Sequence, residues 1–413
     1  MTAISREEQM EPASFKVYGY RWIVLVSFMF IAGMTQLLWI TFAPITGAAA
    51  SFYHTTDLVI SLLSMSFMVV YVLIVLPSAW LIDTFDFRAA VGIGAGLTAV
   101  FALTRGLFAG SLTVVFVSQL GIALGQPLVV GAITKLAARW FPLKERATAT
   151  GLGTLAVYLG ILVAMIITPP LTLRYGIKTM LMAYGIAAAL AATVFFAFAK
   201  GRPATPPCPA GQDERTLMLD GLKGMLRNRD FILLLVVFFI GLGMFNGVST
   251  WIENIVRPRG FSISQAGMLG GLMLIGGIVG AVVMPIFSDR ARRRKPFIIL
   301  SLACVLPGLV GMTFATSYWL LLVSGFAFGF FLLSSGPIGF QFGAELTHPA
   351  PEGTSNSLLL VMGQVSGIIF IFGMDALKSG RSGAMTGSLL ALTALTALSV
   401  LLCAFIRERP ARC

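Results

Sequence analysis

The chain of 413 residues consists largely of long apolar stretches, each bounded by charged residues, proline or glycine. Twelve such stretches lie near 20–49, 57–82, 89–109, 111–138, 147–171, 177–199, 231–256, 262–288, 297–316, 318–344, 354–377 and 383–406. A helix rises about 1.5 Å per residue, so each stretch can cross a hydrocarbon core of roughly 30 Å. Only 11% of the residues are charged, against about 25% in soluble domains. The pattern predicts an all-α integral membrane protein with twelve transmembrane helices.

The composition also argues against several classes of site. The four cysteines show no Cys-x-x-Cys spacing and the two histidines are isolated, so no disulfide framework, metal site or cofactor is expected. The net charge of +12 comes from basic residues in short segments between apolar stretches, without the interleaved aromatic residues of nucleic-acid sites. We therefore expect membrane lipids, and not nucleic acid, to contact these residues.

The basic residues also predict the orientation of the chain. Placing both termini and alternate loops in the cytoplasm collects all but seven of the 29 Lys and Arg residues there, as the positive-inside rule requires. The seven on the opposite side are Arg105, Arg174, Lys178, Arg257, Arg259, Lys378 and Arg381. The first apolar stretch exceeds a signal-peptide core and lacks a small-residue cleavage pattern, so it is expected to remain as a span. The predicted location is the cytoplasmic membrane, plasma or inner.

The longest polar stretch divides the spans into two sets of six. It runs from Lys200 to Asp230 and contains a proline-rich segment at 202–209 that cannot continue a helix. The predicted domains are a cytoplasmic tail at 1–19, a six-helix bundle at 20–199, a cytoplasmic linker at 200–230, a second six-helix bundle at 231–406 and a cytoplasmic tail at 407–413. A monomer is expected.

The two halves share landmarks at a nearly constant separation. Similar residues recur 206 or 207 positions apart at Asp83 and Asp289, at Pro142 and Pro349, and at Gly160 and Gly367. One register therefore relates both halves, which predicts two pseudo-symmetric six-helix bundles related by an axis along the membrane normal.

Two loops resemble signature loops of the major facilitator superfamily. The segment Trp80–Arg88 is similar to the loop between helices two and three of that superfamily, and Trp140–Arg146 is similar to the loop between helices four and five. A narrower resemblance links segments 39–42, 77–84, 248–250 and 339–355 to the feline leukaemia virus subgroup C receptor-related proteins, solute carrier family 49. The resemblance implies the superfamily fold and a family associated with choline, ethanolamine and haem.

Neutral polar residues deep in the spans predict the substrate site, because polar groups at membrane depth usually face a partner or a water-filled cavity. The candidates are Gln36, Trp39, Gln126, Tyr158, Asn246 and Gln364, with Gln119 a further deep amide. None is ionisable near pH 7. An aromatic face can hold a desolvated cation with about 2 kcal/mol, and Trp39 is the best such face. Packing or interhelical hydrogen bonding is the alternative role for each residue.

The family resemblance implies a substrate contact at some of these positions, while at others this chain has a different residue. It implies that Trp39 is the cage tryptophan of the family and that Gln364 is a substrate-facing glutamine. Asn246 stands where the choline-transporting members have a tyrosine, and Tyr158 stands near their helix-five glutamine. Asn246 offers a hydrogen-bond donor and acceptor in place of a ring. A choline-like cation and a different substrate with a hydrogen-bonding group therefore both stay open.

Charged residues at the predicted cytoplasmic helix ends are candidates for an inner gate. A carboxylate there can bind the N-terminus of a neighbouring helix and an arginine across the interface between the halves. These residues are Asp83, Arg88, Glu145, Arg146, Asp289, Arg290, Glu345 and Glu352. Helix capping is the alternative role.

The acidic residues bear on how transport would be driven. The ones nearest to membrane depth are Asp57, Glu253, Glu345 and Asp375, each close to a span end. Because no buried proton relay is visible, we predict facilitated diffusion of a small organic solute, a choline-like cation among the candidates, by alternating access. A proton-coupled symporter or exporter of haem, an amino acid, a carboxylate or a drug remains an alternative, as does a non-transporting receptor. The spans contain no paired acid and base or nucleophile constellation at membrane depth, so enzymatic activity is not expected.

Overall fold

The computed structural model describes residues 17–205, 207, 224–348, 352–380 and 382–408, without the side chains of residues 352 and 353. Most of the predicted N-terminal tail, much of the predicted linker and the side chain of Glu352 therefore lie outside the described residues. Every regular element in the described part of the chain is helical. This confirms the predicted all-α class.

Fourteen α-helices occur in the described ranges. They are α1 (Arg21–Ile40), α2 (Thr46–Phe52), α3 (Asp57–Thr84), α4 (Phe87–Leu107), α5 (Leu112–Val130), α6 (Ile133–Trp140), α7 (Leu143–Phe198), α8 (Arg229–Thr250), α9 (Ile252–Val256), α10 (Ile263–Ala291), α11 (Lys295–Phe314), α12 (Tyr318–Thr347), α13 (Glu352–Ala376) and α14 (Thr386–Phe405). Short 3₁₀ segments at Ala43–Ile45 and Arg257–Arg259 follow α1 and α9.

Eleven helical segments among the described residues are long and apolar enough to cross a membrane. One of them, α7, has 56 residues, which as a straight helix would measure about 84 Å, far more than one crossing needs. Gly176 interrupts α7 with φ 79° and ψ 164°, a conformation that glycine adopts without a steric penalty. Because α7 supplies two crossings, the bundle has the twelve spans that the sequence predicts.

Twelve crossings place the helix ends at two opposite faces. We call the face that holds Arg21, Phe198, Arg229 and Phe405 the linker face, and the opposite one the far face. The connections at 53–56, 108–111, 257–262 and 315–317, and the described residues 377–380 and 382–385, lie at the far face. The outermost helix ends fall within two residues of the domain boundaries that the sequence predicts, while the division into separate domains stays a prediction.

Helix packing repeats between the halves. The pair α3–α5 corresponds to α10–α12, the pair α4–α5 to α11–α12, and the pair α1–α7 to α8–α13. Each pair in the first half therefore has a counterpart between equivalent spans of the second. This repetition confirms the two pseudo-symmetric six-helix bundles.

Glycine allows the closest helix approach in the first half. A Cβ atom on Gly160 of α7 would overlap the carbonyl oxygen of Gly33 on α1. In the second half, a Cβ atom on Gly243 of α8 would lie 2.8 Å from the Ser366 Oγ atom on α13. Small residues at such crossings let helices pack backbone to backbone, where the bilayer supplies no hydrophobic force between them.

The two halves contact each other mainly through α7 with α10 and through α3 with α13. In the first contact, Gly267 of α10 packs against the backbone of Met165. In the second, a Cβ atom on Gly367 of α13 would lie 2.5 Å from the Met68 sulfur of α3. Met165 and Gly267 lie in the far-face halves of their helices, so the α7–α10 contact is nearer to the far face than to the linker face.

Candidate functional site

A cavity of about 440 Å³ lies between the two halves. Five residues of α7 form one wall: Thr150, Gly151, Thr154, Leu155 and Tyr158. Residues of α8, α10, α11, α12 and α13 form the other. Because the α7 residues belong to its first four turns, the cavity lies towards the linker face.

The cavity wall is mostly apolar, and none of its side chains carries a charge at neutral pH. The second half contributes side chains such as Phe238, Leu242 and Phe245, whereas α7 contributes Thr150, Thr154 and Tyr158. The Thr154 hydroxyl donates to the Thr150 carbonyl at 3.0 Å within its own helix. Within the described part of the chain the Tyr158 hydroxyl has no hydrogen-bond partner. The polar side chains of the wall are therefore found mostly on α7.

Tyr158 is the only one of the six predicted substrate residues that lines this cavity. Trp39 is buried near the far-face end of α1 and is not oriented into lipid. Its indole Nε1 donates to the Ser64 carbonyl at 3.0 Å, and the Ser64 hydroxyl donates to the Trp39 carbonyl at 3.2 Å. This pair of bonds fixes the indole against α3.

The four amide residues of the predicted site lie outside the cavity wall. Asn246 donates from Nδ2 to the Gly363 carbonyl of α13 at 3.2 Å, which joins α8 and α13 within the second half. Gln364 follows on α13 and is half-buried. Gln36 is buried on α1, and Gln126 is half-buried on α5. A direct role of these residues in substrate binding stays a prediction.

Ion pairs join the two halves at the far face. The Asp57 carboxylate, at the start of α3, is 2.5 Å from Arg257 Nη2 and 2.9 Å from Lys378 Nζ. It also accepts a hydrogen bond of 2.8 Å from Asn254 Nδ2. One acidic side chain of the first half thus binds three polar groups of the second. We call Asp57, Glu253, Arg257 and Lys378 the far-face cluster.

Glu253 strengthens the far-face cluster from a buried position. Its Oε2 atom accepts from the Gly47 backbone N–H at 2.5 Å, and its Oε1 atom is 3.4 Å from Arg257 Nη1. Burial raises the pKa of Glu253 above its ordinary value, although the Gly47 bond and the Arg257 charge oppose this. Burial works against the charge of Arg257, but the Asp57 hydrogen bond and the Glu253 charge outweigh it and raise the pKa of Arg257.

Several predicted gate residues of the first half have partners within that half. Glu145 binds Arg21 through two bonds, from Nε at 3.0 Å and from Nη2 at 3.3 Å. Arg88 donates from Nη2 to the Phe196 carbonyl at 3.5 Å. Asp83 is exposed at the end of α3, where Lys135 donates to its backbone carbonyl at 3.0 Å.

The gate residues of the second half form a separate group. Arg294 binds Asp289, and its Nε atom donates to Glu345 Oε1 at 3.1 Å. Burial opposes the charge of Arg294, but its bonds to Asp289 and Glu345 outweigh burial and raise the pKa of the guanidinium. Arg290 is exposed. The remaining gate residue of the first half, Arg146, donates to the Ala138 backbone carbonyl at 3.0 Å.

The distribution of ion pairs distinguishes the two faces. Among the described residues, the ion pairs near the linker face stay within one half, while those joining the halves belong to the far-face cluster. The cavity therefore lies on the linker-face side of the ion pairs that join the halves.

The far-face cluster is the main feature that the sequence analysis missed. Asp57 and Glu253 stand out in the sequence only as acids near membrane depth, and Arg257 and Lys378 only as basic residues of outer loops. Opposite charges at span ends on the same predicted side of the membrane were the available signal. The burial of Arg105 was also missed. It lies within the predicted span 89–109, near the far-face end of α4, and its side chain is fully buried inside the first half.

Comparison with known proteins agrees with this architecture. Residues 18–371 match the Major Facilitator Superfamily. Solute carrier family 49 member A3 of Danio rerio is 32% identical over 89% of this chain and 80% of its own length. The choline/ethanolamine transporter FLVCR2 of Homo sapiens is 29% identical over 95% of this chain and 78% of its own length.

Solved structures show the same fold. The inward-facing, unoccupied crystal structure of a bacterial homolog of the human lysosomal transporter Spinster has a TM-score of 0.77 at 14% sequence identity. The alignment covers 96% of this chain and 100% of that one.

Proposed function

Because the chain belongs to the major facilitator superfamily, within solute carrier family 49, we propose that it moves a small organic solute across the membrane by alternating access. The observation that carries the proposal is the position of the cavity. Both halves contribute to its wall, and it lies on one side of the ion pairs that hold the halves together. A rocking motion of the halves about such a cavity exposes a solute to each side in turn.

The two faces would close alternately. Opening the far face requires the Asp57 carboxylate to leave Arg257 and Lys378. Closing the linker face would bring its charged helix ends together across the halves, with Asp83, Arg88, Glu145, Arg146, Asp289, Arg290, Glu345 and Glu352 as the proposed contacts. The ion pairs now made within each half would then exchange partners, as in other two-state interfaces.

The linker face is proposed to be cytoplasmic. The support is the charge distribution along the sequence, which puts most basic residues at this face. The cavity would then open towards the cytoplasm.

We propose a choline-like organic cation as the first substrate to test. The support is the similarity to choline/ethanolamine transporters together with a cavity wall that contains no charged side chain. Such a wall admits a cation without a fixed countercharge. Trp39, Gln36, Gln126, Asn246 and Gln364 are proposed as contacts when the halves change position, with Tyr158 as a contact in the present arrangement.

Proton-coupled transport is the second candidate, and Glu253 favours it. This carboxyl is 1% exposed and sits at the contact between the halves. A proton bound there would influence whether the far face opens. If the measured uptake does not depend on pH, facilitated diffusion is the mechanism that we propose.

Counterflow in proteoliposomes tests the function. Vesicles preloaded with unlabelled choline are diluted into labelled choline, and transient accumulation of label above equilibrium is expected. Protein-free vesicles are the control. The same assay is repeated with ethanolamine, haem, an amino acid and a carboxylate. If thermal-shift experiments detect binding but none of these solutes shows counterflow, a receptor replaces the transporter in our proposal.

A further inference from the structure

A buried arginine outside the cavity marks a second site. Arg105 lies near the far-face end of α4 and is fully buried. No carboxylate in the described part of the chain lies within ion-pair distance of it. An uncompensated buried charge is costly, because the protein interior solvates it poorly. The fold retains Arg105 in spite of this cost, which indicates that something balances the charge.

Only one nitrogen of the Arg105 guanidinium group is used by the fold. Nη1 donates to Gln119 Oε1 at 2.6 Å and to the Leu38 carbonyl at 3.4 Å. Gln119 Nε2 donates to the same carbonyl at 3.2 Å. These bonds tie α4 and α5 to the end of α1. Nε and Nη2 are buried and have no acceptor among the described residues.

Nε and Nη2 form the guanidinium edge that binds an anion side-on. Their N–H groups point in parallel and match a carboxylate or another small anion. The same molecule uses this edge at Arg21, where Nε and Nη2 bind the two carboxylate oxygens of Glu145. At Arg105 the equivalent edge has no acceptor among the described residues, which leaves it available to an anion from outside the chain.

The surroundings of Arg105 suit an anion that is small. The Phe42 ring lies 5.8 Å from the guanidinium carbon. Tyr53 and Tyr184 lie within electrostatic range of Arg105, and the Tyr184 hydroxyl pairs with the Thr168 hydroxyl at 2.8 Å. An apolar ring thus lies beside the cation, and a weakly polar environment strengthens its attraction for an anion.

We propose that Arg105 binds a small monovalent anion, chloride under ordinary salt conditions, through Nε and Nη2. The anion would enter from the far face, because Arg105 lies within two residues of the end of α4 and next to the loop at 108–111. Since Nη1 holds Leu38, the residue before Trp39, the anion would also stabilise the end of α1. The site is separate from the proposed transport cavity and does not depend on the transported solute.

Halide-dependent stability tests the site. The purified protein is heated at constant ionic strength in sodium gluconate with increasing chloride, bromide or nitrate. The wild-type unfolding temperature is expected to rise by about 3 °C or more and to saturate, as binding to the folded state requires. Equal unfolding temperatures in gluconate and chloride would overturn the proposal and leave hydration as the balance for the buried edge.

Two variants locate the anion. Arg105→Lys keeps the charge but loses the side-on edge, and it is expected to need at least tenfold more chloride for half the effect. Arg174→Gln removes an exposed cation at the same face and is expected to respond like wild type. An unchanged chloride response in Arg105→Lys would refute the assignment.

If Arg105→Lys does not fold, wild-type crystals grown in bromide decide the question. An anomalous peak beside Nε and Nη2 supports the site, and a map without a peak there excludes it.

Discussion

Glu253 and Gly47 meet across the two halves of the molecule, where the Glu253 Oε2 atom accepts a hydrogen bond of 2.5 Å from the Gly47 N–H. The two residues are 206 positions apart, the separation that relates the two halves of the sequence. Both lie just after a break in an equivalent span, Gly47 in α2 and Glu253 in α9. Equivalent segments of the two halves, α2 and α9, therefore contact each other at the far face. Opening this face requires the contact to separate.

Glu253→Gln is expected to change how stability depends on pH. Burial raises the pKa of Glu253 above 4.5, so the folded protein holds this proton to higher pH than the unfolded chain. The stabilisation is fully present below pH 4.5 and is lost as the pH rises through the raised pKa. Across that window the unfolding temperature of wild type should fall relative to that of Glu253→Gln. Parallel melting curves at all pH values would contradict this.

Asp57→Asn is expected to weaken the closed far face. The substitution leaves Arg257 and Lys378 without their shared carboxylate, and both are only partly exposed. Partial exposure reduces the cost from that of a fully buried pair to about 1–3 kcal/mol. Labelling of single cysteines at the far face should become faster than in wild type. Asp375→Asn, which removes an acid without an ion pair among the described residues, is the control.

Swapping the two charges tests whether the same contact can be restored. Asp57→Arg combined with Arg257→Asp restores one opposite-charge pair between the halves, while each single variant places like charges together. The double variant should recover slow labelling better than either single variant. Additive effects of the two substitutions would mean that the pair does not hold the face closed.

Gly241→Leu is expected to abolish transport without unfolding the protein. Gly241 lines the cavity, and a Cβ atom there would meet only the Leu332 side chain at 3.9 Å. The new side chain would occupy space that a solute needs. Counterflow should fall at least tenfold while the unfolding temperature stays within a few degrees of wild type. Gly96→Leu is the matched control, because no atom lies within 4 Å of its Cβ position.

Trp39 substitutions test the predicted aromatic contact. If the indole face holds a cation, Trp39→Ala should lose about 2 kcal/mol of binding, a factor of about 30 in affinity. Trp39→Phe keeps a ring but loses the bond to Ser64, so it should retain much of the affinity. Thermal-shift titration with choline measures both variants. Equal stabilisation of wild type and Trp39→Ala would remove Trp39 from the site.

The sequence predicted the membrane architecture because each span must bury its backbone bonds in a long apolar helix. The break at Gly176 falls between the predicted fifth and sixth spans, although the helix is otherwise continuous. The separation of 206 positions between Asp83 and Asp289, which the other landmark pairs nearly share, correctly indicated the repeat. These features depend on local composition and spacing, which a single sequence contains.

The site was harder to predict, because it depends on how the halves tilt. Tyr158 lines the cavity, while Trp39 and Asn246 are hydrogen-bonded outside its wall. The pairing of Asp57 with Arg257 depends on how the two halves meet at the far face, which spacing along the chain does not show. Burial of Arg105 depends on the carbonyl of Leu38 and the amide of Gln119, and neither partner can be identified from its spacing along the chain.

The polar groups of the cavity wall are unequally divided between the halves, and this has a consequence for substrate selectivity. The tyrosine and threonine hydroxyls belong to α7, while the other half presents mainly hydrocarbon. In the present arrangement, a solute with one polar end would make its directional bonds mainly to the first half and mostly dispersion contacts with the second. Substitutions along one turn or two of a single helix would then suffice to alter which solutes are carried, while the opposing surface tolerates many shapes.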